Sequence, residues 1–168
     1  DKIRAKKIDC RLLLVPRHAE RRAQIKQLLE HYPHWVRSES KQAPAGTLVY
    51  LADTTGELRM LTQVADFAFV GKSLSPNVGG QTPIDCAALG VPIVYGPNMT
   101  NFRRACETLE RDGAVVKVPD PQSAVRELVR LSADAHLRET LAEKAKAWHS
   151  SNVGATERAC DVILKVLG

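Results

Sequence analysis

Short apolar runs alternate with longer amphipathic stretches along this chain. The apolar runs occupy residues 10–16, 35–38, 47–53, 66–71, 91–97 and 114–120. Between and after them, apolar residues recur at helical spacing in residues 18–32, 54–65, 82–90, 101–113, 122–132, 136–151 and 154–168. Strands followed by amphipathic helices, six times over, predict an α/β protein with a doubly wound, six-stranded parallel sheet and helices on both faces.

Composition agrees with a soluble globular protein and excludes several other classes. The chain has 168 residues, 44% hydrophobic and 26% charged, which suits one ordinary domain rather than a disordered or collagen-like chain. No apolar run is long enough to span a bilayer. The first residues are charged and lack an initiator Met, so we interpret the chain as a soluble segment of a longer protein.

Positive charge is concentrated at the amino end. Residues 1–26 hold nine of the 24 basic residues against three acidic ones. Such a segment attracts phosphates, anionic lipids or nucleic acid, and charge alone does not choose among them. Only eight aromatic residues occur in the chain, which argues against a nucleic-acid binder that stacks bases. Four widely spaced cysteines without a CxxC pair indicate free thiols.

The unusual residues follow the ends of predicted strands, where doubly wound folds bind ligands. The strongest cluster is residues 71–83, in which paired glycines precede a helix start with Thr82 as N-cap and Pro83 as the first helical residue. Such a turn can let a phosphate or carboxylate approach the backbone, or it can be only a glycine-rich turn. It matches neither the P-loop nor the GxGxxG pattern.

Other polar residues near these ends have two possible roles. Asp85 and Glu57 can either cap a helix or accept hydrogen bonds from ligand hydroxyls such as those of ribose. Arg17 can bind a phosphate or carboxylate, or pair with a surface carboxylate. Asn98, Thr100 and Asn101 are candidate caps for the helix that begins at Asn101-Phe102. We find no metal-ligand cluster, no GxSxG nucleophile motif and no pair of catalytic carboxylates.

The motifs PRH, DTTGEL, ADFAFVGKSL, GGQTPID, ALGVPIVYGP and NF occur in that order. Together they resemble the C-terminal half of the Kdo transferases, bacterial glycosyltransferases of the GT-B fold that attach 3-deoxy-D-manno-octulosonic acid (Kdo) from CMP-Kdo to lipid A precursor in lipopolysaccharide biosynthesis. The resemblance covers residues 12–152. It implies a Rossmann-like donor-binding domain in residues 1–152, and a C-terminal helix in residues 153–168 that packs toward an N-terminal acceptor domain.

The resemblance also implies where the donor binds. Arg17 and the helix start at Thr82 would neutralise the CMP phosphate and the sugar carboxylate, and Asp85 would take the ribose hydroxyls. The general base of the family lies in its N-terminal half, so we expect no catalytic residue in this segment. The predicted donor-binding residues are Pro16, Arg17, His18, Thr55, Gly56, Glu57, Gly71, Lys72, Ser73, Gly79, Gly80, Gln81, Thr82, Pro83, Ile84, Asp85 and Asn101.

This sequence departs from the family pattern at several of these positions. Lys72 stands where the family has a glycine, Gln81-Thr82 replaces His-Asn, Asp85 replaces a glutamate and Thr55 a methionine. The family implies no metal cofactor and a parent enzyme at the cytoplasmic face of the inner membrane. Two alternatives stay open: the donor half of a GT-B enzyme that uses a UDP-sugar, and a non-catalytic α/β module that binds a membrane or an acidic partner through its basic end.

Overall fold

Six short strands form two parallel sheets in the computed structural model, which describes residues 5 and 7–167. In the first sheet, β3 (Val49–Leu51) lies between β1 (Leu12–Leu14) and β2 (His34–Val36). In the second, β5 (Ile93–Tyr95) lies between β4 (Ala68–Phe69) and β6 (Val115–Lys117). The α/β class and all six predicted strands are therefore confirmed.

The division into two sheets differs from the single six-stranded sheet that we predicted. Strand β4 is only two residues long, and its hydrogen-bonded ladder is with β5. Within the described residues no ladder joins the two halves. Alternation of strands and helices predicts parallel strands but does not say which strands share a ladder, so it did not reveal the division.

Helices follow the strands as the amphipathic pattern predicted. A 3-10 turn at Ala19–Arg21 leads into α1, and a second one at Thr100–Phe102 leads into α4. The bounds are α1 Arg22–Leu29, α2 Leu58–Thr62, α3 Ile84–Leu89, α4 Arg103–Arg111, α5 Pro121–Ala133, α6 Ala135–Asn152 and α7 Ala155–Leu167.

Helices cover both faces of the second sheet. Ile93 and Tyr95 face a core that includes Leu109 of α4 and Trp148 of α6. Val94 points to the opposite face, where α5 contributes Ala124 and Leu131, and where Leu141 of α6 also packs. All three residues of β5 are 0% exposed. The continuous apolar run 91–97 therefore forms a strand that is buried on both sides, as parallel sheets require.

The first sheet packs against α1 on one face. Ile25 and Leu29 of that helix contact Val36, Val49 and Leu51. On the other face, the rings of Trp35 and Tyr50 meet edge to face, with their centroids 5.9 Å apart. Burial of α1 on one side only explains its alternation of apolar and charged residues.

The carboxyl-terminal end of the fold holds three consecutive helices. Asp134 joins α5 to α6, and its carboxylate accepts a hydrogen bond from the Leu137 amide at 2.8 Å. In α7, the side chains of Val162, Ile163, Leu164 and Val166 are exposed. None of the described helices combines the length and the apolar character that a membrane span needs. Among the basic residues near the amino end, Lys2, Arg4 and Lys6 lie outside the described residues.

A buried carboxylate, that of Asp53, holds the end of β3. Its oxygens accept hydrogen bonds from the Ser38 amide at 3.0 Å and the Ser38 hydroxyl at 2.7 Å, and it forms an ion pair with Arg22 of α1. Burial alone raises the pKa of Asp53, but the bonds from Ser38 and the charge of Arg22 outweigh it and hold the pKa below its ordinary value. Asp53 thus connects β2, β3 and α1.

We predict that Asp53→Asn lowers the free energy of unfolding by about 2 kcal/mol at pH 7, since a buried acceptor beside Arg22 is replaced by a donor. A lowered folded-state pKa stabilises the protein above the ordinary aspartate pKa of about 3.9, and this contribution disappears as the pH falls through the folded value. The difference between the two proteins should therefore shrink below about pH 4. Urea unfolding at a series of pH values measures it.

Asp9→Asn is the matched control for this prediction. Asp9 also pairs with an arginine, Arg11, but its side chain is 84% exposed. We expect Asp9→Asn to change the free energy of unfolding by no more than about 0.5 kcal/mol, as for other exposed ion pairs. Equal losses in the two variants would contradict the role given to burial at Asp53.

Candidate functional site

The predicted site residues follow the carboxyl ends of the strands. Arg17 comes after β1, the segment Thr54–Glu57 after β3, and the loop from Gly71 onward after β4. Parallel strands place these ends at one edge of each sheet. Side-chain and backbone hydrogen bonds then connect the segments, as described below.

The loop after β4 is closed by two backbone hydrogen bonds. The Gly80 amide donates to the Lys72 carbonyl, and the Gln81 amide donates to the Gly71 carbonyl, each at 3.1 Å. Lys72 adopts a left-handed backbone conformation with φ of 59°. For a residue with a Cβ this conformation costs roughly 1 kcal/mol, so the two hydrogen bonds hold Lys72 in a position that suits glycine better.

Ser73 fastens this loop to the one that follows β5. Its side chain is completely buried, and its hydroxyl donates to the Val70 carbonyl at 2.6 Å and accepts from the Gly96 amide at 2.9 Å. The Asn98 amide donates to the Ser73 carbonyl at 2.9 Å. The Ser73 hydroxyl therefore makes both of these hydrogen bonds within the protein and joins the two loops.

Gly79 and Gly80 also serve packing within the protein. Both have left-handed backbones, with φ of 97° and 69°. A Cβ on Gly79 would lie 2.7 Å from Nδ2 of Asn101, and one on Gly80 would lie 2.3 Å from Sδ of Met99. The lack of a Cβ on Gly79 and Gly80 therefore allows a close approach to the turn before α4.

The capping role expected of Asn101 is wrong. The helical turn begins at Thr100, Asn101 lies inside it, and neither this turn nor α4 starts with a side-chain cap. The Asn101 amide donates to the Gly79 carbonyl at 3.1 Å, and the Asn98 side chain donates to the Asn77 carbonyl at 2.7 Å. Asn98 and Asn101 therefore hold the loop closed instead of capping the helix.

The start of α3 is partly occupied by its own residues. The helix begins at Ile84, one residue later than predicted, and the Thr82 hydroxyl accepts from the Ile84 amide at 3.2 Å. Pro83 is buried, whereas Ile84 is 41% exposed. With six residues α3 is also short. We expected the unpaired amides at this helix start to attract an anion. One of them, that of Ile84, is already bonded to Thr82, so fewer amides are free than the sequence suggested.

Asp85 and Glu57 each pair with an arginine. Oδ1 of Asp85 accepts from Nη1 of Arg59 at 3.2 Å. Oε1 of Glu57 accepts from Nη2 of Arg37 at 3.1 Å, and its other oxygen accepts from the Thr54 hydroxyl. The bonds from Thr54 and Arg37 hold the pKa of Glu57 below its ordinary value. Both carboxylates are therefore held in place as hydrogen-bond acceptors.

Sequence reasoning missed these two arginines. Arg37 directly follows β2, and its guanidinium carbon also lies 6.0 Å from the centre of the Trp35 ring. Arg59 lies in the first turn of α2. Arg37 could have been found, because it directly follows a strand and the other candidates were selected for that same position. No such signal existed for Arg59, whose partner is far along the chain.

The remaining predicted residues lie on the surface of this region. Nη1 of Arg17 donates to Oε1 of Gln81 at 3.4 Å, which brings the segment after β1 to the loop after β4. His18 pairs instead with Glu20, at 3.3 Å. Thr55 is exposed and Pro16 is half-buried. No heavy atom lies within 4 Å of the position a Cβ would take on Gly56 or Gly71, so space is open at both.

The charges of this edge divide into paired and unpaired groups. Arg37 and Arg59 have carboxylate partners. Arg17 and Lys72 have none among the described residues. The same part of the chain holds no group of three potential metal ligands. The arrangement can therefore bind an anion through Arg17 and Lys72 and hydroxyl groups through the carboxylates.

Comparison with known proteins gives a consistent result. No family model matches the chain. It is 34% identical to the 3-deoxy-D-manno-octulosonic acid transferase of Bordetella pertussis over 94% of this chain, and 32% identical to that of Haemophilus influenzae over 90%. It spans only 37% and 36% of the length of these relatives.

A solved structure extends the comparison to the fold. The C-terminal CMP-Kdo binding domain of WaaA from Acinetobacter baumannii superimposes with a TM-score of 0.76 at 31% sequence identity. The match covers 81% of this chain and 72% of that one.

We predict that Gly96→Ala lowers the free energy of unfolding by about 2–4 kcal/mol. A Cβ there would lie 2.2 Å from the Ser73 carbonyl oxygen, a backbone atom that cannot move aside without shifting the loop. Gly71→Ala is the control, because its Cβ meets no atom within 4 Å; we expect a change of less than about 1 kcal/mol. Urea unfolding measures both, and equal effects would show that the contact at Gly96 is not tight.

Proposed function

The chain belongs to the 3-deoxy-D-manno-octulosonic acid transferase family, and we propose that it forms the part of such an enzyme that binds the donor CMP-Kdo. The observation that carries this proposal is the match to the CMP-Kdo binding domain of WaaA, which extends over most of both chains. The cluster of polar groups at the carboxyl ends of the strands supports it, because doubly wound folds bind nucleotides there.

We propose that the residues around the open glycines contact the donor. Arg17 and Gln81 would bind the phosphate, and the exposed turn at Thr55 and Gly56 would lie against the nucleoside. Asp85 retains Oδ2 for a ribose hydroxyl while Oδ1 accepts from Arg59. Ser73, Pro83, Gly79 and Gly80 are buried, so they would shape the loops that carry these contacts.

The donor-binding part of the enzyme would contribute to the reaction by stabilising negative charge. When Kdo is transferred, an acceptor hydroxyl forms a bond to its anomeric carbon and gives its proton to the general base. The bond between that carbon and the phosphate oxygen breaks, and CMP departs with added negative charge. Fixed cations beside that oxygen stabilise the charge in the transition state. In the whole enzyme we propose that Arg17 does so without a metal, and that the acceptor, a lipid A precursor, is held by an N-terminal domain at the cytoplasmic face of the inner membrane.

Binding of CMP is the first test. We expect the 168-residue chain to bind CMP in calorimetry more tightly than UDP or GDP. Arg17→Ala should weaken this binding about tenfold, since a charge-assisted hydrogen bond to phosphate is lost. Arg111→Ala is the control, because Arg111 ends α4 and pairs with Asp112. This variant should bind CMP with the affinity of the wild type.

Each other outcome of this titration contradicts the proposal in a distinct way. Tighter binding of UDP would indicate a donor half that uses a UDP-sugar. Binding of anionic vesicles by the basic amino end, with no response to any nucleotide, would indicate the non-catalytic module. An equal loss in the Arg17 and Arg111 variants would show that general charge, not the site, attracts CMP.

Transfer activity is the second test. The resemblance places the general base in the N-terminal half of the family, and this chain spans little more than a third of its relatives. We therefore expect no transfer of Kdo to a lipid A precursor by the 168 residues alone, measured with CMP-Kdo by mass spectrometry. Transfer at a rate above the background would refute this division of roles.

A further inference from the structure

Lys72 combines an unfavourable backbone with an unpartnered charge. It is exposed, it has a left-handed φ of 59°, and it directly follows Gly71, where the space is open. Among residues with side chains, mainly Asn and Asp tolerate this conformation. A lysine is therefore not explained by the geometry of its own backbone.

The loop imposes this conformation on whatever residue stands at position 72. The carbonyl groups of Gly71 and Lys72 accept from the amides of Gln81 and Gly80, and both ends of the loop are thereby fixed. Glycine at position 72 would satisfy the same two hydrogen bonds without strain. The backbone at position 72 therefore does not require a lysine, and any role of its side chain follows from its surroundings.

The surroundings indicate what the side chain provides. The backbone amide of Gln81 donates a hydrogen bond to Gly71, which precedes Lys72. The side-chain oxygen of Gln81 accepts one from Arg17. Neither cation has a carboxylate partner in the described part of the chain, although Arg37 and Arg59 nearby are both paired. Two unneutralised cations that flank one glutamine attract an anion.

We propose that Lys72 is a second anion-binding residue of the donor site, and that with Arg17 it takes the phosphate or the sugar carboxylate of CMP-Kdo. This inference rests on the proposed function. The donor carries these two separate negative groups, so two cations fit its charge. The two backbone hydrogen bonds fix the position from which the Lys72 side chain extends, so binding does not have to order the loop as well.

Three variants separate the charge of Lys72 from its backbone. K72G removes the charge and relieves the strain, K72N removes the charge and tolerates the left-handed conformation, and K72R keeps the charge. Lys7 offers a matched control: it is exposed, also has φ of 59°, and precedes β1 at the opposite end of that strand from Arg17. K7G therefore removes the same charge and the same strain away from the site.

Calorimetry with cytidine, CMP and CMP-Kdo gives the readout. We expect K72G and K72N to weaken binding of CMP-Kdo roughly three- to tenfold, with K72R and K7G unchanged and cytidine affected by none of them. A loss seen with CMP as well assigns Lys72 to the phosphate; a loss with CMP-Kdo alone assigns it to the carboxylate. K72G should also raise the melting temperature by about 2 °C.

Failure of this inference is distinguishable from failure of the proposed function. If the wild-type chain binds CMP-Kdo and Arg17→Ala weakens it, but K72G and K72N bind as the wild type does, then only the role of Lys72 is refuted. An equal loss in K7G also refutes it, since net charge would then be sufficient. If the wild-type chain binds neither CMP nor CMP-Kdo, both proposals are overturned.

Discussion

The buried hydroxyl of Ser73 connects the loop after β4, which carries part of the candidate site, to the loop after β5. It bonds to the end of its own strand and to the Gly96 amide, and the crowding at Gly96 leaves room for no side chain. A polar group buried at this depth is stable only because each of its bonds is made within the protein. In the first sheet, Asp53 plays the corresponding part by joining β2, β3 and α1.

Much of the fold could be predicted because it depends on local patterns. Apolar runs located the strands, and helical spacing located the helices, since each pattern reports which residues of one element face the core. The division into two sheets could not be predicted in this way. It depends on which strands pair with one another, and the apolar pattern of a single run does not record that.

The sequence predicted that the candidate residues follow the ends of strands, and it predicted fewer of their contacts. The rule that ligands bind at the carboxyl ends of parallel strands selected Arg17, Glu57 and the loop at Gly71. The partners that define their roles come from distant segments: Arg59 for Asp85, and Met99 and Asn101 for the paired glycines. Such pairs follow from tertiary packing, so a single sequence gave no sign that Gly79 and Gly80 face the protein.

The complete burial of β5 has a consequence for how the molecule fluctuates. A strand in the middle of its sheet, covered on both faces, opens to solvent only when most of the domain unfolds, so its amide protons should be among the slowest to exchange. The loop that begins at Gly96 starts from this strand. We therefore expect motion at the carboxyl end of this sheet to be confined to side chains and loops, while the strand that carries them stays closed.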